Sequence, residues 1–338
     1  MLWYNSFNNT KEVVMSIRRY LATAILILLL SLGGCAFVTI PLFPEPQTLQ
    51  EQILEGEGKD KILILHVLGI ISENNDSGPS FKREPSMIEG IKEALNRARR
   101  DNAVKGLILR INSPGGSVTT SDILYHELIE FKNTKGVKII ACFMDLGTSG
   151  GYYVATVADE IIAHPTTITG SLSVIAMKFN VKGLLDLVGI KEETIKSGEL
   201  KDIWSPFRPS SDEERRIMQS IIDSFHQRFL NVIADGRKHM TYQEIVRLAD
   251  GRISSADQAL EAKLIDRIGY MDDAIERMKC LLGIRTATVI TYARPGTYAE
   301  TIYSGTSPSL HHIPHHISLD RGLFLSPPKV RMMYLWVP

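Results

Sequence analysis

Three short turns carry residues that could do chemistry: "INSPGGSV" (111–118), "GTSGGYY" (147–153) and "TITGSLSV" (167–174). A serine that opens a helix is usually an N-cap. Ser149 has a second possibility, because Gly147, Gly150 and Gly151 around it let the backbone expose a nucleophile. Gly115, Gly116 and Gly150 could bring backbone N–H groups to a developing oxyanion with no Cβ in the way. Ser171, after Gly170, is a third hydroxyl of the same kind. A nucleophilic serine needs a base. His66 sits inside a strand pattern, His126 and His226 sit on predicted helices, and His164 follows a strand. His311, His312, His315 and His316 ("HHIPHH") read as a solvated loop rather than a metal site. None has the spacing of a partner for Ser149. Lysine can serve if neutral, although a free lysine has a pKa near ~10.4, and burial away from acids lowers it. "ETIKSGELKDIWSP" offers Lys196 and Lys201 among Ile195, Leu200, Ile203 and Trp204. On the residues alone, the base stays open.

The elements that must position these turns follow a regular order. "KILILHVLGII" (61–71), "VKGLILRIN" (104–112), "VKIIACF" (137–143) and "DEIIAHP" (159–165) read as strands. Between them, "SMIEGIKEALNRARRD" (86–101) places Ile88, Ile91, Leu95 and Ala98 at helical spacing. Residues 119–132 form a second predicted helix, with Ile123, Leu124, Leu128 and Phe131 inward, and a third starts at Ser149. Strand-then-helix alternation predicts an α/β domain with a mainly parallel sheet, whose sites gather at the carboxyl ends of strands. Past Gly198 the chain turns helical. Ser211 and Glu214 form a capping signal ahead of an apolar stripe of Ile217, Ile221, Ile222, Phe225 and Phe229. "TYQEIVRLADGR" is a shorter helix, and "TATVITYAR" (286–294) returns to strand. Residues 296–338 read as an irregular extension ending in apolar "MMYLWVP".

The chain has 338 residues, 44% hydrophobic and 22% charged, with 38 basic and 38 acidic side chains. Zero net charge argues against a broad nucleic-acid surface. The three cysteines, Cys35, Cys142 and Cys280, fit neither a zinc site nor a disulfide framework. Cys142 and Cys280 read as buried small hydrophobes. Near the start, Arg18 and Arg19 precede an apolar run from Leu21 to Leu32, the pattern of an export signal. Met15 is an alternative start to Met1. Leu32-Gly33-Gly34-Cys35 resembles a lipobox, in which Cys35 would be lipidated; residues 21–40 are otherwise long enough for an uncleaved anchor. Either reading anchors the chain to a membrane with its body on the exported side. Residues 1–40 are then signal or anchor, residues 41–60, with Pro41, Pro44 and Pro46, are a linker, and residues 61–295 are the main domain.

"RINSPGGSV", "GTSGGYYVATVADEIIAHPTTITGSLSVI", "ETIKSGELKDIWSPFRP" and "DGRISSADQALEAKLIDRIG", in this order, resemble the S49 serine peptidases, which include the signal peptide peptidases. The resemblance runs from about Lys61 to Gly269. It implies a ClpP/crotonase-type fold, a serine endopeptidase with no cofactor or metal, and leftover signal peptides or other extended apolar peptides as substrates. It also implies Ser149 as nucleophile, Lys201 as general base, Ser171 as the hydroxyl that orients the lysine, and Gly150 with Gly116 or Gly115 as the oxyanion hole. Members of this short form resemble eight-subunit rings in which serine and lysine come from neighbouring subunits. Where the family usually has glycine, this chain has Lys263. A crotonase-type acyl-CoA enzyme and a non-catalytic ring scaffold are the alternatives.

Overall fold

The computed structural model describes residues 18–25, 48–73, 85–297, 299–304 and 332–336. The chain divides into two units, 1–46 and 47–338. In the first, residues 18–25 are helical and exposed, while Cys35 and the rest of the expected lipobox lie outside the described residues. Among the described residues no helix is long and apolar enough to cross a membrane.

The second unit is built on strands β1 (Gln50–Glu55), β2 (Lys61–Leu68), β3 (Val104–Ser113), β5 (Lys138–Thr148), β6 (Glu160–Ala163), β7 (Ile168–Gly170), β9 (Ile253–Ser255), β10 (Arg267–Ile268) and β11 (Thr288–Ala293). They form one sheet in the order β1-β11-β2-β3-β5-β6-β10, with β7 also on β5 and β9 on β7. β11, β2, β3, β5, β6 and β10 run parallel; β1 on β11 and β9 on β7 are antiparallel. The expected mainly parallel α/β sheet is what the chain forms. A second, small antiparallel sheet joins β4 (Gly115–Ser117), β12 (Met332–Leu335) and β8 (Ile175–Ala176).

The strand sequences are apolar on both faces because helices cover both. Leu63, Leu65, Leu107, Leu109, Ile139 and Ala141 bury against one side, with helices α1 (Met87–Arg100), α2 (Val118–Lys135), α3 (Gly150–Ala155) and, after the short helix α4 (Lys182–Leu187), α5 (Asp212–Gly236). Helices α6 (Tyr242–Leu248) and α7 (Ala256–Glu261) extend this side and place Ile245 and Ala259 in the same core. Ile62, Ile64, Ile108, Ile140 and Cys142 point the other way, onto α8 (Met271–Leu282) through Met271, Ala274, Ile275 and Met278. α1 and α5 both start with a complete capping box, Ser86 with Glu89 and Ser211 with Glu214.

Several expectations shift. Residues 50–55, inside the expected linker, pair with β11, and residues 332–335, inside the expected irregular extension, pair with β4 and β8. Ile123 is exposed on α2, whereas Leu124, Leu128 and Phe131 are fully buried. Cys142 is buried, and burial pushes its thiol up to about 12, but Cys280 is exposed at the end of α8. The flank of Lys201 is open rather than enclosed, since Ile195 and Leu200 are exposed.

Candidate active site

Strand β5 forks. Ile140–Phe143 pair with β6, while Leu146–Thr148 pair with β7. The fork leaves the end of β5 beside β7, with Thr148 opposite Gly170. Ser149 and Ser171 each follow one residue later, so the two hydroxyl-bearing residues stand at the ends of neighbouring parallel strands. Both have positive φ, 53° and 55°. Such a backbone costs about 1–3 kcal/mol for a residue with a side chain and persists only where surrounding structure enforces it. Here the enforcement is visible: the Ser149 N–H donates to Gly170 O at 2.8 Å, and the Ser171 N–H donates to Arg252 O at 2.6 Å.

Ser149 is fully buried, and its Oγ has no hydrogen-bond partner among the described residues. It stands at the N-cap position of α3 but makes no side-chain cap bond, so the usual role of a helix-opening serine is not the one it plays. A buried hydroxyl without a partner costs about 1–3 kcal/mol. That cost makes sense at a group held ready for a ligand.

The first glycine turn packs directly against this serine. Gly115 has φ 98°, and a Cβ there would come within 2.7 Å of the Gly150 N atom. A Cβ at Gly150 would meet Ser121 Oγ at 2.6 Å. Only glycine allows the two backbones to approach like this. The Gly115 N–H donates to Ser113 Oγ at 3.1 Å, and Ser113 Oγ donates to Gly69 O at 2.7 Å. Of the two turn glycines, Gly115 therefore has its N–H engaged.

The lysine is elsewhere. Lys201 lies exposed in a 3-10 turn, Glu199–Asp202. Among the described residues no hydrogen bond or ion pair joins it to Ser149 or to Asp202. The Asp202 carboxylate is instead held by Arg208 at 2.8 Å and Lys196 at 2.6 Å, which push its pKa well below the usual carboxylate range. Arg208 also pairs with Glu214 at the start of α5. These bonds tie the lysine-bearing turn to that helix.

Among the described residues no histidine bonds Ser149 either. His164 packs edge-on against Tyr270 at 5.1 Å, and burial, helped by the Arg110 charge, lowers its pKa. His66 is half-buried in β2, and His226 Nε2 faces Ala249 O at 3.0 Å. His311–His316 lie outside the described residues.

Two features were not read from the sequence. Behind Ser149, Tyr153 and Phe229 form an aromatic wall, their ring centroids 5.1 Å apart, and the Tyr153 hydroxyl donates to Asp122. Strand β12 crosses in front of Gly115 and Gly116. The spacing of Phe225 and Phe229 hinted at the wall but reads equally as core. The continuous apolar run "MMYLWVP" was the only sign of the strand.

Comparison with known proteins adds a chemical class. The family model described as Peptidase family S49 matches residues 131–285. A putative signal peptide peptidase SppA of Enterococcus faecium is 38% identical over 248 residues, 73% of this chain and 71% of that protein. A putative protease of Methanocaldococcus jannaschii is 29% identical over 82% of this chain and 88% of its own. A chloroplastic serine protease of Arabidopsis thaliana is 31% identical over 79% of this chain and 38% of its own.

Proposed function

Since this chain belongs to peptidase family S49, we propose that it is a serine endopeptidase in which Ser149 is the nucleophile and Lys201 of a neighbouring copy is the base. The observation that carries the reading is the buried, unpartnered Ser149 Oγ on a positive-φ backbone, beside Gly115, Gly150 and Ser171.

Each step has a group available. Ser149 Oγ attacks the carbonyl carbon of an extended peptide as a neutral lysine Nζ accepts its proton. The N–H groups of Gly116 and Gly150 stabilise the oxyanion, because the Gly115 N–H is engaged by Ser113. The lysine returns the proton to the leaving amine, and water then hydrolyses the ester. Ser171 orients the lysine. Supply of Lys201 from another copy is favoured by its exposure within one chain and by the apolar surface around it. Phe179, Leu184, Leu187, Val188 and Ile190 are exposed on the same stretch as Ile195. A run of that kind marks an interaction surface. A ring of copies, eight in the resemblance, would cover it and enclose the lysine.

Leftover signal peptides and other extended apolar peptides are the proposed substrates, and the exported face of a membrane is the proposed location. The basic and apolar pattern of residues 18–32 and the Cys35 motif support that location. A fluorophosphonate should label Ser149 in the assembled protein and leave Ser149→Ala unlabelled. No label on the active assembly would remove Ser149 from the mechanism; a protein that neither labels nor cleaves any peptide would be the scaffold alternative.

A further inference from the structure

The turn that carries Lys201 also carries two acids, Glu199 and Asp202, and a second lysine, Lys196, stands just before it. A lysine acts as a base only while neutral, and a carboxylate beside it favours the charged form. Asp202 follows Lys201 directly in sequence, so it is the acid best placed to do this. Its carboxylate is fully occupied. Arg208 holds it side-on, Nε donating to Oδ2 at 2.8 Å and Nη2 to Oδ1 at 2.9 Å. Nη2 also donates to Asp202 O at 3.3 Å. Lys196 Nζ donates to Oδ1 at 2.6 Å and to Glu199 O at 2.8 Å.

The guanidinium is itself fixed from behind. Nη1 donates to Glu214 Oε2 at 3.1 Å, and Nη2 pairs with Glu214 Oε1. Glu214 is buried at the start of α5, where the Ser211 N–H donates to the same Oε2 at 2.8 Å. Lys178, just past β8, donates to Arg208 O and to Ser210 Oγ, each at 2.9 Å, and lies over the Trp204 ring. Arg215 on α5 pairs with Asp212, and Glu199 is exposed. Asp202 and Glu214 thus face Arg208 and Lys196, two negative charges against two positive. The group is balanced without Lys201, and among the described residues no ion pair reaches that lysine. Side-on arginine–carboxylate pairs are the strong kind, and arginine keeps its charge at any pH the protein meets.

We propose that Arg208 and Lys196 are positioning residues for the base: by claiming the Asp202 carboxylate, they keep the acid next in sequence from pairing with Lys201. This rests on the peptidase reading above, in which Lys201 accepts the Ser149 proton. Of the two lysines in this segment, Lys196 is then the one committed to an acid and Lys201 the one left free to lose its proton. Arg208 does not touch the substrate; it acts through Asp202, and Glu214 holds it in place. Removing the Arg208 charge leaves Asp202 partly unpaired one residue from the base, and a carboxylate there favours the ammonium.

The test uses the full chain as wild type, Arg208→Gln, Asp202→Asn and the double variant. Cleavage of one fluorogenic apolar peptide is followed as kcat/KM against pH. An opposite charge within about 4–6 Å moves a titration by about 1–3 pH units. Lys196 still holds part of Asp202 in Arg208→Gln, so the acid limb should move up by about one pH unit, a tenfold slower rate on that limb. Asp202→Asn should not move the limb up. The double variant should bring it back, although it restores no bond to the turn. A merely structural Arg208 would lower the rate at every pH and leave the midpoint in place. That result, or a double variant no better than Arg208→Gln, would overturn the proposal. If Arg208→Gln does not assemble, Lys196→Met, which keeps both Arg208 pairs, should shift the midpoint up by at least about half a pH unit; an unmoved midpoint refutes the idea. If wild type cleaves no peptide, the peptidase reading fails, and the carboxylate clamp is tested separately. Acetylation of Lys201 by limiting acetic anhydride, read by peptide mass spectrometry across pH, follows the neutral Nζ. An upward shift in Arg208→Gln that Asp202→Asn reverses supports the clamp, and one common curve for all forms refutes it.

Discussion

At the residue scale the proposed chemistry turns on two side chains that one chain does not bring together. Ser149 is buried and aimed, while Lys201 is exposed on a turn whose acid, Asp202, is committed to Arg208 and Lys196. This separation makes a sharp prediction. Ser149→Ala and Lys201→Ala should each abolish peptide cleavage with the fold unchanged by circular dichroism. Dissociating, mixing in equal amounts and reassembling the two inactive proteins should restore activity. A site then needs an intact serine from one copy and an intact lysine from its neighbour, which holds for about one quarter of sites in a random closed assembly. A mixture that stays inactive would place both groups within one chain.

At the element scale two local conflicts are visible. Lys263 follows α7 with φ 61°, a left-handed turn that costs a residue with a Cβ about 1–2 kcal/mol. Its backbone carbonyl accepts from Arg237 at 2.9 Å, and this bond does not depend on the side chain. Lys263→Gly should therefore raise stability by about 0.5 kcal/mol, net of greater unfolded-state freedom and one exposed ion pair to Glu244. Urea denaturation reads this directly, and a loss of stability would refute the strain argument.

The second conflict is His66 in β2. Burial, with the Arg110 charge adding to it, drives its pKa down to about 3, so the folded protein holds it neutral. The unfolded chain binds a proton there below about 6.5. The folded pKa is depressed, so this contribution is fully present above the unfolded value and is lost as pH falls toward 3, at up to about 1.4 kcal/mol per pH unit. In His66→Leu, Thr291 keeps its hydrogen bond to Ile64 O at 3.0 Å. Denaturation at pH 7 and pH 5 should show wild type losing about 2 kcal/mol more than the variant over that interval. Equal slopes would mean that His66 is not the titrating group.

At the scale of the whole molecule, the exposed apolar stretch before Lys201 is the feature one chain leaves unexplained. Phe179 and Leu187 are 78% and 86% exposed. Burying a side chain of that size is worth about 1.5–3 kcal/mol, so Phe179→Asp and Leu187→Asp should each weaken assembly at least tenfold. Sedimentation should show smaller species, and peptide cleavage should fall in step. Activity that survives full dissociation would rule out a site shared between copies.

Most of the sheet was legible in the sequence. Strand-helix alternation, the capping box at Ser211, and the order of the glycine turns depend on a few neighbouring residues, which a linear reading sees. Those local rules also placed Ser149 and Ser171 at strand ends. They could not say that β5 forks between β6 and β7, which sets the two serines side by side, because the fork is a pairing choice among separate segments. Likewise, Ser211 capping was visible, but the partners of Asp202 were decided by where Arg208 folds back. The strand at Met332–Leu335 shows the same limit. Its residues read as an irregular apolar end, and only contact with Gly115–Ser117, more than two hundred residues earlier, turns them into a strand with Tyr334 in an aromatic pocket. Local propensity is written in adjacent residues; a ladder between distant segments depends on which backbones lie close enough to share hydrogen bonds, and that is settled by packing.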